Sequence, residues 1–379
     1  MIYLDNAATK ATLDIVKQKM KPYLNEYYGN PASNYQFAIK SKEAVEKARK
    51  DIASHINALP KEIYFTSGGT EADNWAIKNT ALINQHRGKH IISSKIEHHA
   101  VLNSLNYLKS IGFNIDYARV FENGKVDIQW IKRNIRKDTI LISIMMANNE
   151  TGVIQPISQI GELAHNNNIV FHTDAVQTFG HEVIDCKKQH IDLLSASAHK
   201  FGGPKGVGFL YINEGCNIFP YIHGGSQERN MRGGTTNVAG VVGMGEAANC
   251  SYEHLEKWNS KTKELRDYMA ARLLKEIPYT RINGDLKDRL CSNINLSFQF
   301  VNGSTLLELL DAEGICASGA SACNSNVQTI SHVLEAMGIS EEVARGTLRL
   351  TLSEENTKEE IDTAIDIIKS SVSKLREYK

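Results

Sequence analysis

The sequence predicts an α/β protein, with a mainly parallel sheet covered by helices on both faces and a smaller α/β domain after it. Three observations predict it. Between residues 62 and 212, apolar runs of strand length alternate with segments of helical periodicity. Those runs are continuously apolar, as in strands buried on both faces, rather than alternating. Past Gly233 the regular alternation stops, and 379 residues exceed what one core comfortably serves.

In chain order, a short strand is expected at Ile2–Leu4. A surface helix is expected over Ser41–Ile52, where Ala44, Val45, Ala48 and Ile52 recur at helical spacing. Seven strands follow at Glu62–Thr66, His90–Ser93, Ile115–Ala118, Ile140–Met146, Ile169–His172, Leu193–Ala196 and Val207–Ile212. Helices are expected between them over Thr70–Asn79, Ala100–Ser110, Asp127–Ile135 and Ile157–Asn166. A helix over Val238–Ser251 precedes a long amphipathic one over Glu256–Ile277 that links the domains. The tail carries strands at Asn293–Phe298 and Thr347–Thr351, and helices over Ser304–Glu313, Ile330–Met337 and Thr357–Ser371. The large domain is placed at residues 15–255, and the small one at 1–14 together with 256–379.

Composition excludes several classes. The 43 basic and 43 acidic residues cancel, so there is no concentrated positive field for nucleic acid or an anionic membrane. The opening MIYLDNAAT lacks the basic and apolar regions of a signal peptide. No stretch approaches the ~20 apolar residues of a membrane helix, and the expected location is the cytoplasm. The six cysteines, at 186, 216, 250, 291, 316 and 323, form no CxxC pair. A chain this long needs no disulfides, and most of these cysteines are expected to be small buried hydrophobes.

Ligands of open α/β sheets collect beyond the C-terminal ends of strands, and the chemically unusual residues cluster there. Phe65-Thr66-Ser67-Gly68-Gly69-Thr70-Glu71 runs from a strand through two glycines into a helix. Free N–H groups and the Thr70 hydroxyl make an anion site, or else Thr70 and Asp73 form a near capping box. The apolar run Ile169–Phe171 leads into His172-Thr173-Asp174. A buried carboxylate there needs a cation such as a protonated pyridine nitrogen, unless it caps the next helix. Ser197-Ala198-His199-Lys200 leads into a glycine-rich turn; a Schiff-base lysine needs such a partly desolvated, cation-rich setting. Lys205 is a rival amine, expected to face solvent.

Asn148-Asn149-Glu150 follows a further strand, as turn formers or as ligands for a polar substrate. His98, in Glu97-His98-His99, suits an aromatic ring laid over a flat cofactor. No HExxH or Cys/His spacing completes a metal site, and no metal is expected. Cys323 lies in the small, polar segment Ala317–Asn326, a setting for an exposed nucleophile as much as for an inert thiol.

Taken together, these blocks resemble the cysteine desulfurases of the NifS/IscS type, within the fold-type-I pyridoxal-phosphate enzymes of the class V aminotransferase kind. The resemblance runs through YLDNAAT, YGNPAS at Tyr28–Ser33, FTSGGTEADN at Phe65–Asn74 and NNETGV at Asn148–Val153. It continues through HTDAVQ at His172–Gln177, SAHK at Ser197–Lys200, GGSQERNMRGGT at Gly224–Thr235 and the region around Cys323. It implies a seven-stranded, mainly parallel sheet, pyridoxal 5'-phosphate as cofactor and L-cysteine as substrate.

By this resemblance Lys200 is the cofactor-bearing lysine, His98 stacks on the ring, Asp174 pairs with its nitrogen and Gln177 donates to its phenolic oxygen. Gly69, Thr70, Ser197 and His199 hold the phosphate. Thr235 reaches the site of a second subunit, which implies a homodimer. Asn149 and Arg349 grip the substrate carboxylate, and Cys323 takes the sulfur as a persulfide. A protein acceptor follows, such as an iron–sulfur scaffold or a tRNA-thiolating enzyme. A selenocysteine lyase and a non-catalytic dimeric scaffold are the alternatives. The sequence departs from the common pattern at Ala198, Gly233, Gly319-Ala320, Asn326–Ser331 and Ser353. None of these departures removes a reacting group.

Overall fold

The computed structural model describes residues 1–319 and 330–377. Its strands, in chain order, are β1 (Ile2–Tyr3), β2 (Ile63–Thr66), β3 (His90–Ser94), β4 (Asn114–Ala118), β5 (Thr139–Ser143), β6 (Val170–Asp174), β7 (Leu193–Ser197) and β8 (Gly208–Ile212). After these come β9 (Thr280–Ile282), β10 (Asn293–Phe298), β11 (Ile315–Cys316), β12 (Ser318–Gly319) and β13 (Thr347–Thr351). The seven strands β2 to β8 form one sheet in the order β2-β8-β7-β6-β5-β3-β4. From β7 to β4 all neighbours are parallel. β8 is antiparallel to both β7 and β2. The expected seven-stranded, mainly parallel sheet is present.

Every residue of β3, β5, β7 and β8 is buried, which is why these segments read as unbroken apolar runs. Successive residues feed opposite faces. Ile92, Ile142, Leu194 and Phe209 join a core shared with the helices Gln36–His55, Ile157–Asn166 and Val238–Glu253. Their neighbours Ile91 and Leu141 pack with the helices Gly69–Asn84 and His99–Ser110 on the other side. Leu193 and Leu210 meet Trp75 and Ala76 of the first of those two helices.

A second, antiparallel sheet has the order β12-β13-β10-β9. Its core combines Ile294, Leu296, Leu348 and Leu350 with residues of the helices Leu255–Glu276, Gly303–Ala312 and Lys358–Glu377. β1 pairs in parallel with β11. Leu4 belongs to this second core, and the chain then crosses to the large sheet. Asp5 bridges Thr351, while Lys10 N donates to His199 O at 2.9 Å and Leu13 N to Gly202 O at 3.0 Å.

Some elements differ from expectation. The helices Asp14–Met20 and Pro22–Asn25 hold a single fully buried apolar residue, Val16, so no periodic signal marks them. β9, β11 and β12 are two or three residues long, too short for a two-residue period to show. The helix expected from Ile330 begins at His332, because the Ser331 hydroxyl caps it by accepting from Val333 N and Leu334 N. Val333, Leu334 and Met337 then pack into the large-sheet core. The five described cysteines are free, but only Cys186 and Cys291 are buried. Cys216, Cys250 and Cys316 are only partly buried. No described helix is long and apolar enough to cross a membrane.

Gly208 sets the distance between the sheet and the glycine turn after β2. A Cβ there would lie 2.5 Å from Ala196 O and 2.7 Å from Gly68 Cα. Both neighbours are backbone and cannot swing aside. Gly208→Ala is expected to destabilise the fold by about 1–3 kcal/mol, read as a lower urea midpoint; an unchanged midpoint would show that the turn has room to retreat.

Candidate active site

The C-terminal ends of β2, β3, β5, β6 and β7 meet at one edge of the large sheet, and each delivers part of the site. After β2, the helix Gly69–Asn84 starts with Gly68 as its N-cap and no side-chain cap. The capping box expected from Thr70 and Asp73 is not formed. Glu71 turns back instead to accept from Ser67 N at 2.8 Å, and Asp73 is buried. The Gly69 and Thr70 end of the helix thus faces the site with uncapped N–H groups, a ready anion cradle. A Cβ on Gly69 would strike Val176 Cγ2 at 2.5 Å, so only glycine lets this turn sit against the β6 loop.

Beyond β3, His98 is the N-cap of the helix His99–Ser110, its Nδ1 accepting from Ala100 N at 3.1 Å. That bond leaves Nε2 to carry the ring proton. Burial holds the imidazole pKa below its usual value against the pull of Asp174, and Lys200 and His99 lower it further. Glu97, one residue earlier, is fully buried and accepts from the Ser94 hydroxyl and from Met145 N. Burial pushes its pKa up to about 8 despite those donors.

The two asparagines after β5 separate cleanly. Asn148 is the turn former: its amide donates to Ile96 O at 2.8 Å, and its carbonyl accepts from Glu150 N and Thr151 N. Asn149 borders the cavity, and its backbone oxygen accepts from Arg349 Nη1 at 3.0 Å. Arg349, on β13, also donates from Nη2 to Asp5 Oδ1 at 2.7 Å, while its buried Nε has no partner.

At the end of β6, Asp174 Oδ1 accepts from Val176 N at 2.8 Å. Burial raises its pKa, while His98, the Val176 N–H and Lys200 pull it down. No helix follows directly, so the capping alternative does not apply. Gln177 Nε2 donates to Ala7 O at 3.1 Å. After β7, one turn of 3-10 helix carries Ala198–Lys200. Lys200 Nζ donates to Ala7 O at 2.7 Å and to Ala8 O at 2.8 Å, whereas the rival Lys205 is exposed. His199 Nδ1 lies 3.1 Å from Thr9 Oγ1. Burial, and then Lys200 and Lys205, push its pKa down to about 4.

One cavity of about 370 Å³ gathers Gly69, Thr70, His98, Asn149, Asp174, Gln177, Ser197, His199, Lys200 and Arg349 along its walls. Thr235 is exposed and does not border it. Cys323 lies outside the described residues; Gly319 and His332, on either side of residues 320–329, both border the cavity. Sequence reasoning missed Asp73, Glu97, Glu150 and His332 as neighbours of the site. Asp73 did leave a signal, a carboxylate between Ala72 and Ala76 on the buried side of a helix. Spacing along the chain indicated no metal set, yet Asp73, His98 and Asp174 bring three ligand-type atoms within 4.8 Å of one another.

The donor set fits a phosphorylated, protonatable ring. It has a helix N-terminus with hydroxyls at Thr70 and Ser197, a buried carboxylate at Asp174, and an amine at Lys200. A model of the family described as aminotransferase class-V matches residues 2–363. The chain belongs to that family. Among class-V relatives it is 50% identical over 375 residues to the cysteine desulfurase IscS of Methanosarcina thermophila, covering 99% of this chain and 93% of that protein. Among solved structures, a NifS-like protein superposes with a TM-score of 0.93 at 38% identity, covering 98% of this chain and 99% of that one. SspA in complex with cysteine gives 0.83 at 35% identity, covering 94% of this chain and 100% of that one. These likenesses put the chain in the NifS/IscS-type branch of the class-V family, with the fold-type-I architecture of pyridoxal-phosphate enzymes.

The class-V site also carries a stability signature. Glu97 keeps its proton to about pH 8 in the fold but releases it at its ordinary, lower pKa when unfolded. Folding therefore takes up a proton between those values, and stability falls as pH rises through that window. Glu97→Gln is expected to remove on the order of 3 kcal/mol of that fall, seen as a flatter dependence of the urea midpoint between pH 5 and 8.5. A slope identical to that of the unsubstituted protein would mean that Glu97 is ionised in the fold.

Proposed function

We propose that this protein is a pyridoxal-phosphate-dependent cysteine desulfurase, converting L-cysteine to L-alanine and leaving the sulfur as a persulfide on Cys323. The observation that carries the reading is Lys200 beside a cavity whose buried acid, Asp174, lies with the His98 imidazole. The half identity to a cysteine desulfurase over nearly the whole chain supports it.

When bound, pyridoxal phosphate supplies an electron sink for the bond being cut. The chain's own residues do the rest. Lys200 is the tethering amine. The N–H groups at Gly69 and Thr70, with Ser197 and His199, would take the phosphate, and Gln177 would donate to the phenolic oxygen. The exposure of Thr235 accords with a homodimer in which the partner's Thr235 completes that phosphate site. Arg349 offers its partnerless Nε, next to Asn149, to the substrate carboxylate. Lys200 would hold and move a proton at the substrate α-carbon.

Cys323 attacks the substrate sulfur as a thiolate. The new bond joins the two sulfurs, the carbon–sulfur pair ends on carbon, and protonation there yields alanine. The persulfide then passes to a protein acceptor, with an iron–sulfur scaffold or a tRNA-thiolating enzyme as the candidates. The division into residues 15–255 and 1–14 with 256–379 is proposed on the same footing, and the separate core around β10 and β13 supports it.

Purified protein supplied with pyridoxal phosphate, cysteine and a reductant is expected to release alanine and sulfide in equal amounts. Lys200→Ala should abolish the visible cofactor band and slow turnover by roughly 10³-fold or more. Cys323→Ser should keep the band yet lose turnover of cysteine while sparing selenocysteine. Alanine formed by Cys323→Ser at the unsubstituted rate would end the reading. Arg349→Lys keeps the charge but loses the fork, and should raise KM for cysteine about 10–100-fold with a smaller effect on kcat; an unchanged KM would remove Arg349 from the carboxylate site.

A further inference from the structure

Asp73 is a buried acid to which the chemistry above assigns no task. It stands in the second turn of the helix Gly69–Asn84, is 1% exposed, and borders the cavity. Its Oδ1 has no hydrogen-bond partner. The nearest ring nitrogen, His172 Nε2, is 3.6 Å away and already engaged with the Ser195 hydroxyl at 3.0 Å. His172 Nδ1 meets the Ser143 hydroxyl at 2.8 Å, and burial keeps this imidazole neutral, its pKa down to about 3. His172 is therefore no cation for Asp73.

Ligand-type atoms of Asp73, Asp174 and His98 lie within 4.8 Å of one another. Two buried carboxylates within that distance repel when both are charged, which favours one shared proton on the pair. Their surroundings decide which one keeps the proton. Asp174 has His98 and Lys200 facing it, and both favour its charged form. Asp73 is raised by burial and by the charge of Asp174, with the Ser195 hydroxyl offsetting only part. The proton belongs on Asp73.

We propose that Asp73 is a positioning residue, a neutral carboxylic acid beside Asp174 that leaves Asp174 as the single charge of the pair, available to a protonated ring nitrogen. The last clause rests on the cofactor reading above, whereas the protonation of Asp73 does not. Infrared difference spectra of the full chain, carrying ¹³C at its aspartate carboxyls, test the protonation at neutral pH without cofactor. One isotope-sensitive carbonyl band of a protonated acid is expected, lost in Asp73→Asn. Absence of the band, or its survival in Asp73→Asn, overturns the proposal.

Pyridoxal phosphate titrations test the positioning role. Asp73→Asn keeps a neutral planar group and should bind the cofactor about tenfold more tightly than Asp73→Ala, the cost of one lost buried contact. Equal affinity of the two variants overturns that role. Failure of the unsubstituted chain to bind pyridoxal phosphate would sink the cofactor reading instead, and the infrared result would still decide the state of Asp73.

Discussion

Asp174 ends a strand whose last four residues are buried, and its charge has to be compensated inside the protein. The fold leaves few ways to do that. Parallel strands cannot turn back on themselves, so each finishes at the same edge, and the loops that follow must fill the space beyond. His98 arrives from β3 and Lys200 from β7, and both favour the carboxylate form of Asp174. The glycine turn after β2 comes close because Gly208 and Gly69 have no side chains to hold it off. Asp73 enters on that turn's helix and makes the compensation harder, which makes its own protonation part of the solution.

The same desolvation shapes the histidines. His98, His172 and His199 all have pKa values held down by burial. His172 and His199 contribute no fixed positive charge near neutral pH, so the anion end of the cavity relies on helix N–H groups and hydroxyls. Uncapped helix N–H groups of this kind suit an anionic group such as a phosphate.

The large sheet was legible because its strands are buried on both faces and therefore continuously apolar, from Ile91-Ile92 to Phe209-Leu210. Ten of the expected site residues share one cavity because polar side chains at strand ends have nowhere else to go. What stayed hidden has physical reasons. The helix Asp14–Met20 buries one residue, Val16, and leaves no period. Nothing local showed that Ala7 and Ala8 would offer their carbonyls to Lys200, since that contact spans almost two hundred positions. Asn148 and Asn149 were indistinguishable as letters, and only backbone geometry separates the turn former from the cavity residue. The role of His98 as a helix cap was equally invisible, because an imidazole is an uncommon N-cap.

The crossing of residues 5–10 between the two cores has a consequence for biosynthesis. Lys200, Asp174 and His98 all emerge from the ribosome long before β13, yet Asp5 and Ala7 are fixed by Thr351 and Arg349 of that late strand. Until translation is nearly complete, the carbonyls that hold the lysine have only Gln177 and the Lys10–His199 bond to position them. A chain truncated before β13 would carry Lys200 but lack the Thr351 and Arg349 contacts that fix Asp5 and Ala7 beside it.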